Sequence, residues 1–160
     1  MADLTHIGPD GRARMVDISG KDDTERAATA TGRIRMAPET LARALSRETK
    51  KGDPLAIAEL AGIMGAKRTA DLIPLCHPLP LTGLNVEITE APEGGALQVT
   101  ATARTTGKTG VEMEALTAVS AACLTLYDML KAIDKSMVIE GIELLEKAGG
   151  ASGNYQKPAR

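Results

Sequence analysis

The sequence predicts an α+β fold, with helices covering one face of an antiparallel sheet. Three observations carry that reading. Strand-like runs stand near the start, in the middle and near the end of the chain. A long stretch with apolar residues at three-and-four spacing separates the middle runs from the last one. Prolines and glycines fall at the junctions, where they stop one element and start the next.

Residues 1–25 are polar, punctuated by glycine, and run into the charged stretch Lys21-Asp22-Asp23-Thr24-Glu25-Arg26. They read as a flexible arm. A strand is expected over 27–36, where Thr29, Thr31, Ile34 and Met36 alternate among Ala and Arg. Pro38 sits where a first helical residue belongs and starts a short helix over 39–47. Asp53-Pro54 repeats the device for a helix over 55–68, since Asp is a good N-cap. Pro74, Pro78 and Pro80 then forbid regular structure across 73–80. Strands over 84–90 and 97–105, joined by the Pro-Glu-Gly-Gly turn at 92–95, form a hairpin. A helix is expected over 111–135 on Leu116, Val119, Cys123, Leu126, Leu130 and Ile133. A last strand covers 138–146, and the Gly-rich tail, 149–160, reads as flexible. The order is βαββαβ with an extra helix in the first crossover, which is that of a ferredoxin-like sandwich. Residues 26–148 form its single domain.

At 160 residues the chain is long enough for a real core without staples. With no Trp, no Phe and only Tyr127 and Tyr155, aliphatic residues and Ala must fill that core. Small side chains bury little area each, at about 25 cal/mol per Å², so association with further copies is expected. A net charge of −2 with no basic stripe excludes a nucleic-acid or membrane-surface binder on bulk electrostatics. Two cysteines, Cys76 and Cys123, make no disulfide framework and suit a reducing cytoplasm. Neither a signal peptide nor an apolar run near 20 residues is visible.

Three segments carry chemistry. In the first, Ala66 to Pro78, prolines on either side fix the backbone around His77, an acid–base side chain suited to neutral pH. A plain loop histidine, with Cys76 as a small buried hydrophobe, explains the residue types equally well. A Cys76–His77 nucleophile pair is disfavoured because adjacent side chains rarely reach one atom. Zinc is disfavoured because Cys76, His77, Cys123 and His6 lack ligand spacing. In the second segment, Gly107-Lys108-Thr109 resembles the end of a P-loop, but Thr102 stands where the earlier glycine is required. What remains is a glycine-flexed turn delivering Glu112 and Glu114 to a helix start, where composition alone reads them as favourable to the helix dipole. In the third, Asp128 and Lys131 lie three apart on one face of the long helix, off its apolar stripe. An exposed ion pair, worth under about 1 kcal/mol, stands against a carboxylate and an ammonium lining a cleft.

These residues together resemble the MoaC family. The resemblance rests on Met15-Val16-Asp17-Ile18-Ser19, on Lys67 to Pro78, on Thr106 to Thr117, on Tyr127-Asp128-Met129 with Lys131, and on Gly149-Gly150. It runs without a gap from about Leu4 to Tyr155. It implies a ferredoxin-like homohexamer, a trimer of dimers with active sites at subunit interfaces. The implied activity is that of a lyase of molybdenum cofactor biosynthesis. Its substrate would be 3′,8-cyclo-7,8-dihydro-GTP from an upstream radical enzyme, and its products cyclic pyranopterin monophosphate and pyrophosphate. Asp128 and Lys131 would be the catalytic acid–base pair, with Lys51 beside them. Leu75, Cys76, His77, Glu112, Met113 and Glu114 would bind substrate, as would Asp17, Lys21, Arg26 and Lys147. No resident metal or cofactor is implied, though magnesium can accompany the phosphates. Ala151 departs from the pattern, since relatives often carry Lys there, and this leaves a phosphate-binding role for the tail open. A non-catalytic nucleotide- or pterin-binding oligomeric module is the alternative.

Overall fold

The computed structural model of the chain describes residues 5–158. Its central strand is β1, Thr24–Arg35, in which Ala28, Ala30, Gly32 and Ile34 point to the core and the residues between them do not. That period of two fixes the buried face. β1 pairs antiparallel with β3, Ala96–Gly107, from Thr24 opposite Gly107 to Arg35 opposite Ala96. β2, Leu81–Glu90, lies outside β3, and β4, Val138–Ala148, pairs with β1 on the other side. The sheet order is β2-β3-β1-β4-β5, antiparallel throughout, where β5 is Tyr155–Gln156. The first four strands have the expected ferredoxin-like arrangement. The sheet face turned away from the helices is polar: Thr29 and Thr102 share a 3.0 Å hydrogen bond, and Thr31 donates to the Val99 carbonyl.

Helices α1 (Pro38–Leu45) and α2 (Pro54–Ala66) fill the first crossover, followed by one turn, α3 (Thr69–Leu72). Asp53 caps α2 as its sequence position suggests, accepting hydrogen bonds from the Leu55 and Ala56 N–H groups at 2.9 and 3.2 Å. The second crossover is α4, Glu112–Leu130, packed between the sheet and α2. By length and composition α4 is apolar enough to span a membrane. Its burial in the core accounts for that: Ala115, Ala118, Val119, Ala122, Cys123, Leu126 and Leu130 are fully covered. Two bare α-carbons bring α2 against it. A Cβ on Gly65 would sit 2.6 Å from the Ala121 Cβ, and one on Gly62 would sit 3.0 Å from the Ala118 carbonyl.

The sequence suggested a longer α4, to residue 135. The helix instead ends at Leu130, and Ile133 is half exposed. Asp134 explains the stop. Its carboxylate accepts hydrogen bonds from Ser136 N and Oγ at 2.8 and 2.6 Å, and from Ala37 N at 3.0 Å. The chain is turned toward the start of α1 and cannot continue the helix. After β4, the chain turns through Gly149, Gly150 and Gly153, all in the left-handed region, and returns as β5.

Candidate active site

The turn from β3 into α4 places Val111 in the core and Glu112, Met113 and Glu114 at the helix start. The proline-fixed loop faces them. Between the two lies a largely apolar cavity of about 700 Å³, lined by Leu75, Cys76, His77, Met113 and Glu114 among others. His77 Nε2 stands 2.8 Å from the Val16 carbonyl. A carbonyl only accepts, so Nε2 carries a proton, and in the neutral ring Nδ1 is left as the basic nitrogen. Val16 thereby ties the N-terminal segment to the loop. Glu114 is only 4% exposed. Burial, reinforced by the charge of Glu112, pushes its carboxyl above the ordinary range. Burial and the Glu114 charge likewise push the Cys76 thiol up, so it is a poor nucleophile. The Cys123 thiol, enclosed by the core, is pushed up to about 12.

A second cavity, of about 710 Å³, adjoins the first and shares Thr109, Gly110 and Glu112 with it. Its character is opposite. Lys21, Arg26, Lys108 and Lys147 line it against, among the described residues, two carboxylates, Asp22 and Glu112. β1 supplies Arg26 and β4 supplies Lys147, whose Nζ lies 3.0 Å from Glu112 Oε1 and 2.9 Å from Ser152 Oγ. Gly149 and Gly150, at φ +94° and +83°, fold the tail over Arg26. Its Cζ would lie 2.6 Å from a Cβ on Gly150. Arg26 Nε is buried with no hydrogen-bond partner among the described residues. Lys108 Nζ donates to the Ser19 carbonyl at 2.9 Å. Asp17 accepts from Ser19 N, and that bond, with further help from Ser19 and Lys108, holds its carboxyl below the ordinary range. Asp17 thus braces the turn that Lys108 grips. Lys108, seen in the sequence as part of the glycine-flexed turn but not among the residues expected to bind substrate, lines this cavity. The available signal was a glycine-flanked lysine directly after a strand.

Asp128, Lys131 and Lys51 meet at the other end of α4. Lys131 Nζ is 2.7 Å from Asp128 Oδ1, and Lys51 Nζ is 3.5 Å from Oδ2 and 3.1 Å from the Asp128 carbonyl. The hydrogen bond from Lys131 lowers the Asp128 pKa, aided by the charges of Lys131 and Lys51, and raises that of Lys131 in return. All three side chains are about half exposed, so the cluster is open to what lies beyond the chain. Sixteen residue steps along α4 take Glu112 to Asp128, about 24 Å at roughly 1.5 Å per residue. Within one chain, then, the residues singled out in the sequence form two groups. Glu112 links the cavity residues of one group; Asp128 anchors the other. Among the described residues no three His, Cys, Asp or Glu side chains converge as a metal-ligand set.

A family model described as the MoaC family matches residues 15–150. The chain belongs to the MoaC family. Its relatives in that family align nearly end to end. A cyclic pyranopterin monophosphate synthase of Cereibacter sphaeroides (strain KD131 / KCTC 12085) is 57% identical over 99% of this chain and 100% of its own length. Proteins of the same name from Roseiflexus sp. (strain RS-1) and Thermomicrobium roseum are 58% and 54% identical, covering 97% and 98% of this chain and 98% and 95% of their own lengths. The matched span holds the Asp128 cluster and the cavity residues named above except Ser152.

Proposed function

We propose that this chain is a cyclic pyranopterin monophosphate synthase, a lyase acting on 3′,8-cyclo-7,8-dihydro-GTP. The observation that carries the reading is the continuity of the two cavities through Glu112, one basic and one apolar, each sized for part of a nucleotide. Lys21, Arg26, Lys108 and Lys147 supply cations for a triphosphate. Glu112 offers acceptors to the N–H edge of the base-derived ring, His77 Nδ1 a further one, and Met113 and Leu75 apolar cover. The relatives' shared name agrees with this division.

The reaction needs proton transfers and charge neutralisation without net redox change. Asp128 is ionised at neutral pH and Lys131 protonated, because each stabilises the charged form of the other. They are therefore set as base and acid for the rearranging ring, with Lys51 at the same carboxylate. In the closing step a ribose-derived hydroxyl gives up its proton to a general base and attacks the α-phosphorus. One P–O bond forms, the bond to the β-phosphate bridging oxygen breaks, and pyrophosphate leaves into the field of the lysines. Magnesium, if it accompanies the phosphates, enters with the substrate. Since about 24 Å of helix separates Asp128 from Glu112, a complete site takes the Asp128 cluster from one subunit and the cavities from its neighbour. A hexamer built as a trimer of dimers supplies that interface. The free thiols suit a cytoplasmic setting.

Incubation of the purified protein with 3′,8-cyclo-7,8-dihydro-GTP tests the proposal, with mass spectrometry for the pterin product and for pyrophosphate. Product formation is expected. Asp128→Asn should cut turnover by about 10²–10⁴-fold while substrate still binds. A folded, oligomeric wild-type sample that yields neither product overturns the reading. Full turnover by Asp128→Asn would leave only a binding role for the cluster.

A further inference from the structure

The Glu112–Lys147 pair stands where the two cavities meet, and the backbone beside it has an unusual feature. A Cβ on Gly110 would lie 2.7 Å from Glu112 Cδ and 2.9 Å from Oε1, with Oε2 nearer still. The carboxylate is folded back onto a bare α-carbon. Gly110 is not among the left-handed glycines, so its backbone conformation is open to any residue. Space is the only structural demand for glycine at this position.

We propose that Gly110 is the positioning residue for Glu112: its missing side chain is the seat that turns the carboxylate onto Lys147 at the junction of the two cavities. The inference rests on the proposed division of the site between phosphates and base. Lys147 is gripped from two sides, by Glu112 at 3.0 Å and by Ser152 at 2.9 Å. Both members of the pair keep about a quarter of their side-chain surface exposed, so the bond can exchange with an arriving anion. An incoming phosphate competes with Glu112 for Lys147. As it wins, the displaced carboxylate is delivered to the neighbouring cavity, which it also lines. Seating Glu112 on Gly110 thus ties occupation of the basic cavity to presentation of an acceptor in the apolar one. A methyl group at position 110 would lie under 3.0 Å from the carboxylate, so the flexible end of Glu112 must move off its seat.

Calorimetric titration of inorganic pyrophosphate into the full-length oligomer tests this directly, because it needs no turnover. Gly110→Ala should bind pyrophosphate about two- to five-fold more tightly, the worth of one partly exposed ion pair. Its kcat/KM on the cyclised nucleotide should fall, because Glu112 is no longer delivered in register. A general disturbance of the cavity would weaken both. Glu112→Ala should tighten pyrophosphate by a similar factor, and adding Gly110→Ala to it should change nothing more. Unchanged or weakened pyrophosphate binding in Gly110→Ala overturns the proposal. So does an additional effect of Gly110→Ala in the Glu112→Ala background. Should Gly110→Ala not fold, Glu112→Ala alone decides: unchanged pyrophosphate affinity means the pair does not compete with the anion. Loss of wild-type turnover with the pyrophosphate pattern intact would defeat the proposed reaction and leave the seat standing.

Discussion

Glu114 shows how far a side chain's chemistry depends on what covers it. Burial raises its pKa, so the folded state holds a proton that the unfolded chain has released. Stability from this group is then greatest at low pH and declines as pH rises past the ordinary glutamate value of 4.5. Glu114→Gln removes that penalty. A thermal melt at pH 8 should show the variant more stable than wild type, and the difference should vanish below about pH 4. Equal melting points at pH 8 would mean that burial does not raise the Glu114 pKa in the folded state. None of this was legible at residues 112–114, where two acidic residues at a helix start read as dipole partners. The proline-fixed loop that shares its cavity lies some forty residues earlier, and no local pattern records that meeting. Asp128 and Lys131 were legible, because helical spacing alone makes them neighbours, and the 2.7 Å ion pair follows from it. Their distance from Glu112 was equally implicit in the helix length. Without a second subunit, nothing in the spacing says which residues share a pocket.

Among the elements, α2 and α4 were placed by their periodicity and caps, whereas the manner of their packing lies in two glycines. Gly65→Ala gains about 1 kcal/mol of helix propensity. It also drives a methyl group into Ala121, an overpacking that costs about 1–3 kcal/mol. The clash should win, and denaturant unfolding should give a net loss of up to about 2 kcal/mol. A stabilised Gly65→Ala would show that the helices separate freely. The α4 terminus makes a similar point. Apolar spacing continued to Ile133, so the sequence implied a longer helix, but Asp134 captures Ala37 and Ser136 and redirects the chain. Hydrogen bonds from the Ser136 hydroxyl, Ala37 N and Ser136 N depress its pKa. Its stabilising effect is present above the ordinary aspartate value of 3.8 and is lost as pH falls through the lower folded value. Asp134→Asn should therefore lower the melting temperature at neutral pH and flatten its decline in acid. An unchanged acid limb would remove Asp134 from that role.

For the whole molecule, strand order, crossovers and the helix-covered face all followed from element order, because βαββαβ has few compact solutions. β5 escaped because two residues are too short for any periodicity. The proposed sharing of the site between subunits has a direct consequence for mixtures. Asp128→Asn and Lys147→Met subunits, each inactive alone, should regain activity when unfolded together and reassembled. Random pairing across a two-fold interface restores roughly a quarter of the sites. No recovery, with mixed oligomers verified by mass, would place a complete site inside one chain. Finally, a core without Trp or Phe leaves the molecule optically quiet apart from its two phenols. Tyr127 donates to the Lys135 carbonyl beside the Asp128 cluster, and Tyr155 stands in β5 against Lys147. With no indole to drain their emission, the two rings form a natural pair of fluorophores, one at each end of α4. A Tyr127→Phe or Tyr155→Phe background then isolates the light from a single end.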